Sequence, residues 1–491
     1  MPNEEPIPGR ATPEATAARL ANSSVTDGWI RAMGDTGLSV SAVGFGCYRV
    51  REDDPEHVEA LRAALVDGGV NLIDTSWNYE QGASERAVGG VLRALISGGV
   101  LAREDVVVVS KVGYLQGALL DELKLEEEID PLPGRIARVA HDHWHSVSPA
   151  YISRCLEMSL ARLGLEALDV LLLHNPEYLI DPGPPEAANS PLFARVEAFY
   201  EALVDSFRAL EAAVEEGKIG CYGVSSNALV ASVNEDRRTS LERILEAARE
   251  AGGERHHLKV IQLPLNAIEQ AAVQASTLDD AIVERCAQEG LAVLANRPMN
   301  AIVAGHVVRL ADPGPDDEAS QFAAARKAVA RLEAVVGAHE AGHPLPTWSK
   351  ELPGSMRKLF NAVAFDDFQL NFADRKTEGA LATLANQVKG DAKGSALMGR
   401  WIRDYVAAYA LLMRAARAQF ARRDRQRLAP RVEEIRAALP NDLQSGSVSQ
   451  QAVAWSATRP GVTATLVGMR RPPYVTDVTA LRTCVLSAGD R

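Results

Sequence analysis

The chain reads as an α/β protein, a (β/α)8 TIM barrel with an N-terminal hairpin and one large inserted helical subdomain. Three observations predict this. Eight short apolar runs recur without strict polar alternation, the pattern of parallel strands covered on both faces. Helical patterns fit between consecutive runs, as βα units require. Polar side chains gather at the C-terminal ends of the runs, where such barrels keep their chemistry.

Taken in order, residues 1–28 open MPNEEPIPGRATPEAT, an acidic, Pro-rich stretch that reads as a flexible tail and not a signal peptide. GDTGLSV (34–40) has the turn chemistry of a hairpin. The strands are SAVGFG (41–46), NLIDTS (71–76), VVVVSKV (106–112), DVLLLHN (169–175), CYGVSS (221–226), VIQLPLN (260–266), LAVLANR (291–297) and, far downstream, TATLVGM (463–469). Helices fit 56–68, 84–97, 149–163, 191–217, 238–252, 278–290 and 447–459. The expected divisions are a tail (1–28), barrel strands one to seven (29–302), the insertion (303–446), and the last helix, strand and terminal loop (447–491).

The insertion contains no convincing strand. AAARKAVARLEAVVGAHEA (323–341) and SALMGRWIRDYVAAYALLMRAARAQFARR (395–423) read as helices, the second with Trp401, Tyr405, Tyr409 and Leu412 on one apolar face. A run of about 140 residues is too long for a structureless loop, so a helical subdomain over the barrel mouth is expected. Packing decoration, homo-oligomer interface and lid all remain open for it. Seven arginines between Arg414 and Arg431 read as the solvated face of a long helix in preference to a docking site for an acidic partner.

Composition excludes several classes. A net charge of −13 argues against nucleic-acid binding, which recruits Lys and Arg. The apolar run VAAYALLM (406–413) is far short of the ~20 residues of a membrane helix. Cys47, Cys155, Cys221, Cys286 and Cys484 lie far apart without CxxC spacing, which fits reduced thiols in a cytoplasmic protein. GFGCYR (44–49) lacks the third glycine of a dinucleotide fingerprint and has Arg49 there. HDHWH (141–145) spaces three histidines two apart, but with no carboxylate pair or HExxH nearby it reads as part of a substrate loop and not as a metal site.

The chemistry gathers on consecutive strand ends. Asp74, Tyr79, Lys111 and His174 fall at or just beyond the second, third and fourth. A lysine ammonium beside a tyrosine favours the phenolate and is expected to lower its pKa, while a carboxylate keeps the lysine charged and fixed. An imidazole opposite can hold a carbonyl oxygen. Together they form a proton donor for a developing alkoxide. Hydride has no side-chain source and calls for a nicotinamide.

With these residues in place the sequence resembles the aldo-keto reductases. DTSWNYEQGASE is similar to that family's Asp-Thr-Ala…Tyr-Gly…Ser-Glu segment, VVVVSKVG to its lysine strand and LGLEALDVLLLHNPE to its histidine strand. IGCYGVSSN, VIQLPLNAIEQ and QAVAWSATRPGVTATLVGMRRPPYVTDV resemble its fifth and sixth strands and its C-terminal helix, strand and phosphate loop. The resemblance implies Tyr79 as general acid/base, Lys111 as its partner, Asp74 as the anchor of Lys111, and His174 as the carbonyl-orienting residue. It also implies that Ser225, with Ser226 or Asn227, and Gln262 hold the nicotinamide carboxamide, and that Gly46 and Cys47 keep the backbone close to the ring. Gly468, Met469 and Arg470 would wrap the adenosine phosphate, with Arg471 and Tyr474 nearby; adjacent arginines favour NADP(H) over NAD(H). The family's Tyr-Ser-Pro-Leu after strand seven is here Asn296-Arg297-Pro298-Met299, so an aromatic is missing and Arg297 is left to meet the pyrophosphate. Val478 stands where an adenine-touching Asn is usual.

The implied substrate is an aldehyde, a ketone or the matching alcohol, sugars included. A different class stays open: a nicotinamide-binding sensor or scaffold subunit that uses the insertion to bind a partner. A metal-dependent hydrolase built on HDHWH is the third reading.

Overall fold

Eight parallel strands close into a barrel in chain order: β1 (Val43–Gly46), β2 (Leu72–Asp74), β3 (Val107–Val112), β4 (Leu168–His174), β5 (Ile219–Ser225), β6 (Leu258–Pro264), β7 (Ala292–Asn296) and β8 (Ala464–Val467). The structure, a computed structural model, describes residues 5–26, 28–129, 136–180, 191–231, 238–275, 281–338, 343–484 and 486. The connecting helices are α1 (Pro55–Val66), α2 (Ala83–Ser97), α3 (Pro149–Leu163), α4 (Leu192–Glu215), α5 (Leu241–Gly252), α6 (Ile282–Gln288) and α7 (Val448–Ala457); α8 (Pro472–Thr479) follows β8. The strands are buried on both faces, which is why their sequences run apolar without alternation. Leu72, Val107, Val109, Val170, Leu172, Val260, Leu294 and Leu466 fill the interior.

The antiparallel pair Ile30–Ala32 and Ser39–Ser41 is the expected hairpin, and its Met33, Leu38 and Val40 join the same interior cluster. Gly34 is required at its turn. Its φ is +52°, and a Cβ there would stand 2.4 Å from the carbonyl oxygen of Gly290, just before β7. The hairpin therefore plugs the N-terminal end of the barrel and leaves the other end for chemistry.

The flexible-tail expectation is corrected. Pro13–Ala21 form a helix whose N-cap, Thr12, accepts the Ala15 N–H at 3.2 Å, with Ile7 and Leu20 buried. Of the Pro and Glu that suggested disorder, Pro13 and Glu14 occupy the helix's first turn, where both are favoured. Ala11 N–H donates to Asp169 Oδ1 at 2.6 Å; Oδ2 of the same carboxylate accepts from Arg103 at 2.8 Å and from Val108 N–H at 2.7 Å. The segment is thus tied to a buried ion pair beside β3 and β4. Residues 1–4 and 27 lie outside the described residues.

Residues 300–437 form a compact unit of their own, the rest of the chain the other. Strand was not expected there, yet Asn300–Val303 pairs antiparallel with His306–Arg309. Its two-residue turn places Ala304 and Gly305 at φ 48° and 77°, as a tight hairpin demands. The helices Phe322–Val335, Trp348–Met356, Ala362–Phe368 and Asp374–Gln387 pack with the 46-residue helix Ala392–Ala437. Trp401, Tyr405, Tyr409 and Leu412 are all buried, in a core with Trp348, Phe365 and Phe420.

The long helix runs fourteen residues past its expected end at 423, where only Leu428 and Ile435 are buried, too sparse a pattern to mark the end in sequence. Its arginines are more than a solvated face. Arg414 pairs with Glu318 at 3.1 Å, Arg417 with Asp366 at 2.8 Å, and Arg425 with Asp316 at 2.7 Å. The acidic partner is another segment of the same unit. Among the described residues, no helix is long and apolar enough to cross a membrane.

Candidate active site

Strand register places the polar residues together before any side chain is considered. Gly46 lies opposite Asp74, and Ser225 lies opposite both His174 and Gln262. Asp74 ends β2, His174 ends β4, Ser225 ends β5 and Asn296 ends β7, with Lys111 one residue short of the end of β3.

Lys111 is the hub and is fully buried. Its ammonium donates to Asp74 Oδ2 at 2.7 Å, to the Thr75 carbonyl at 2.8 Å and to Tyr79 Oη at 3.3 Å. Asp74 uses its other oxygen to accept from Gln262 Nε2 at 2.8 Å. Gln262 Oε1 in turn accepts from Ser225 Oγ at 3.1 Å and from Asn296 Nδ2 at 3.3 Å. One hydrogen-bonded chain therefore runs from β5 through β6 and β2 to β3 and the Tyr79 loop. Gln262 was expected only at the carboxamide, and its grip on Asp74 was not.

The expected lowering of the Tyr79 pKa is not what this geometry produces. Burial pushes the phenol well above its ordinary value, and the Asp74 carboxylate adds to the rise. Burial also lowers the Lys111 ammonium, with Asp74 opposing. The cation lies closer to Asp74 than to the phenol, so its charge is largely matched before it reaches Tyr79. The result is a phenol that stays protonated.

His174 is held neutral. Burial lowers it well below its usual value, and the nearby Lys111 charge lowers it further. Its Nδ1 lies 3.3 Å from Ser76 Oγ, and its ring meets the Tyr79 ring edge-on with centroids 5.9 Å apart.

Several rim residues were missed. Tyr48, 62% exposed, stands edge-on to Tyr79 at 5.3 Å. Tyr114 packs at 4.7 Å against His174, and its hydroxyl accepts from Asn175 Nδ2 at 2.6 Å. Tyr178 lies 5.8 Å from Tyr114. Each follows a strand end by only a few residues, the signal that could have found them. HDHWH is part of a three-stranded sheet, Tyr114–Leu115, His143–Ser146 and Ile136–Ala140, and not an open loop. His145 Nε2–H donates to the His174 carbonyl at 2.7 Å, and burial pushes that imidazole down to about 4. His143 stacks on Tyr114 at 5.2 Å. Among the described residues, no cluster of His, Cys, Asp or Glu has the arrangement of a metal site.

Other expected cofactor residues divide. Ser226 Oγ accepts from Ala228 N–H at 3.1 Å, and Asn227 Nδ2 donates to Asn175 Oδ1 at 3.2 Å. Asn296 Oδ1 is buried without a partner, a polar atom a carboxamide would satisfy. Arg297, at φ 55°, pairs with Glu269 at 2.9 Å. Gly468 offers open space at the end of β8 and Met469 is buried. Arg470 and Arg471 precede α8, Arg471 reaching Glu56 at 3.2 Å; Tyr474 is half-exposed and Val478 buried within α8. Two arginines at a helix N-terminus suit a phosphate. The residues present thus fit a phosphorylated dinucleotide.

The aldo/keto reductase family model matches residues 42–349. A 6-dehydroglucose reductase of Novosphingobium aromaticivorans is 27% identical over 198 residues, 40% of this chain and 51% of that protein. An NADPH-dependent aldose reductase of Saccharomyces cerevisiae is 25% identical over 201 residues, 39% of this chain and 50% of that protein. The chain thus spans about half the length of the curated relatives it matches. A solved aldo/keto reductase from Klebsiella pneumoniae, in complex with NADP and acetate, is 19% identical and covers 93% of this chain and 91% of its own, at a TM-score of 0.41.

Proposed function

The chain belongs to the aldo/keto reductase family, and from that premise we propose that it is an NADP(H)-dependent oxidoreductase interconverting an aldehyde or ketone with its alcohol. The observation that carries this reading is the single hub formed by Lys111 with Asp74 and Tyr79 at the C-terminal rim of the barrel.

The bound nicotinamide would supply or accept the hydride. Asn296, Gln262 and Ser225, with Ser226 or Asn227, would hold its carboxamide, and Gly46 would let the backbone lie close to it. Gly468, Met469, Arg470 and Arg471, with Tyr474, would hold the adenosine phosphate, and Arg297 the pyrophosphate once Glu269 releases it. The phosphate-suited arginines favour NADP(H).

The chain's own groups handle the proton. Tyr79 donates its phenolic hydrogen to the substrate oxygen as negative charge develops there. Lys111 remains beside the phenolate that results and stabilises it, and Asp74 keeps Lys111 in place. His174, neutral at working pH, holds the carbonyl oxygen by a hydrogen bond. Tyr48, Tyr114 and Tyr178 supply aromatic faces suited to a sugar's C–H surface, and the sugar-reductase names among the relatives support polyhydroxy carbonyl substrates.

The test is Tyr79→Phe, assayed with NADPH on a panel of aldehydes, ketones and aldoses. A loss of about 10²–10⁴-fold in kcat is expected, with NADPH binding retained. Unchanged turnover rejects the reading. Tight NADPH binding with no turnover of any carbonyl by the native chain would favour the sensor alternative.

A further inference from the structure

The loop that presents Tyr79 adopts a conformation that its own residues do not favour. After Tyr79 come three successive left-handed residues, Glu80 at φ 48°, Gln81 at 55° and Gly82 at 84°. Only the glycine takes that conformation freely. Such a run persists where the surroundings over-determine it.

Arg162, near the end of α3, supplies those surroundings. Its Nη1 donates to the Trp77 carbonyl at 3.2 Å and to Glu85 Oε2 at 3.3 Å, so one guanidinium grips the chain on both sides of the turn. Its Cζ lies 5.3 Å from the Trp77 ring centroid. It also lies against the Cα of Gly82, where a Cβ would come within 2.9 Å of Cζ and Nε. Both gripped points lead back to the lysine strand. Trp77 N–H donates to the Lys111 carbonyl at 3.3 Å, and Glu85, fully buried, accepts from Ser110 Oγ at 2.7 Å. Tyr79 therefore sits in a span hydrogen-bonded at residues 77 and 85 to the strand that carries its partner, with Arg162 joining those two points and backing Gly82 between them.

We propose that Arg162 is a positioning residue for proton transfer, holding the Trp77–Glu85 span so that Tyr79 Oη stays beside Lys111 Nζ. The proposal rests on the reading of Tyr79 as proton donor. A purely structural Arg162–Glu85 pair, joining α3 to α2, would show the same contacts, but its loss would act independently of the Tyr79 hydroxyl.

A double-mutant cycle separates the two. Arg162→Lys keeps a cation for Glu85, but its stem is one atom shorter than the path to Nη1, which makes both hydrogen bonds, and it loses the guanidinium plane that lies by the Trp77 ring and Gly82. Its kcat for aldehyde reduction with NADPH is expected to fall about 10–100-fold, as a small misplacement of a reacting group does. KM for the aldehyde and the NADPH Kd, read by fluorescence quenching, stay within about twofold. In the Tyr79→Phe background the same substitution changes the residual rate by less than about twofold. Gly82→Ala approaches from the other side, pressing a methyl into the guanidinium and straining the left-handed turn itself, and is expected to show the same kcat loss and the same non-additivity. Equal losses in both backgrounds overturn the role of Arg162 while leaving Tyr79 its own. So does a native kcat in either folded variant, or failure of both variants to bind NADPH, which would make the clamp a general support of the barrel. A native rate for Tyr79→Phe alone sinks the parent reading instead.

Discussion

Replacing Asp74 by Asn removes a charge and one acceptor from the hub while preserving shape. In the native site Oδ2 accepts from Lys111 at 2.7 Å and Oδ1 from Gln262 at 2.8 Å. An amide has one acceptor, so either Lys111 or Gln262 meets an N–H group instead. Lys111 is fully buried, and removing one partner of a buried pair costs about 3–5 kcal/mol; the hydrogen bond the amide keeps offsets about 1 kcal/mol of that. The expected destabilisation at pH 7 is therefore about 2–4 kcal/mol. Its pH dependence has a definite sign. Burial lowers the Lys111 pKa and Asp74 opposes it, so in the variant it falls further. Between the variant's folded value and the native one, folded Lys111 is neutral in the variant while the unfolded chain still binds the proton. Across that window the variant gains about 1.4 kcal/mol per pH unit and the native protein does not, so the deficit shrinks as pH rises. Urea unfolding in a series of buffers, followed by near-UV circular dichroism, measures it. A deficit below about 1 kcal/mol at pH 7, or one that widens toward alkaline pH, would refute the reasoning.

Three further outcomes are expected. Glu177 is buried, accepts N–H groups of Asn227 and Ala228, and is pushed up to about 7 by burial. Its folded value lies above its unfolded one, so native stability falls by about 1.4 kcal/mol per unit between pH 4.5 and 7 from this group; in Glu177→Gln that slope should vanish, leaving the variant more stable at pH 8, as urea midpoints would show. Replacing Arg470 and Arg471 together by Ala should raise the NADPH Kd at least about tenfold while moving the NADH Kd less than about threefold in fluorescence titrations; equal shifts would place the 2′-phosphate elsewhere. Because Tyr79 is held above its ordinary value, carbonyl reduction should be flat in kcat from about pH 6 to 9, whereas alcohol oxidation, which needs the phenolate, should climb with pH; an acid-favoured oxidation rate would contradict the assignment.

The barrel was legible because its signals are local and repeated. A strand buried on both faces must be apolar throughout, so VVVVSKV and DVLLLHN declare themselves without any knowledge of their neighbours. A lysine inside such a run is conspicuous for the same reason. What was not legible depends on partners distant in sequence. The N-terminal helix is ordered by Asp169, more than 150 residues away, and composition alone reads its Pro and Glu as disorder. Beyond residue 423 the long helix buries only Leu428 and Ile435 and is tied by Arg425 to Asp316, more than 100 residues upstream, so no continuous apolar stripe marks where it ends.

The direction of the Tyr79 shift belongs to the same class of property. Residue types name the cation and the phenol, and their pairing suggests a lowered pKa. The sign depends on two distances and on burial: the ammonium is 2.7 Å from a carboxylate and 3.3 Å from the phenol, and the surrounding protein desolvates the phenol. A cation already matched by an anion has little field left for a third group, while the cost of burying a phenolate remains. For a reductase that arrangement is serviceable. The alkoxide formed on hydride arrival is a far stronger base than a phenolate, so the donor need not be acidic; it must be protonated and held in line. Holding it in line is the task the left-handed turn and its arginine clamp are placed to perform.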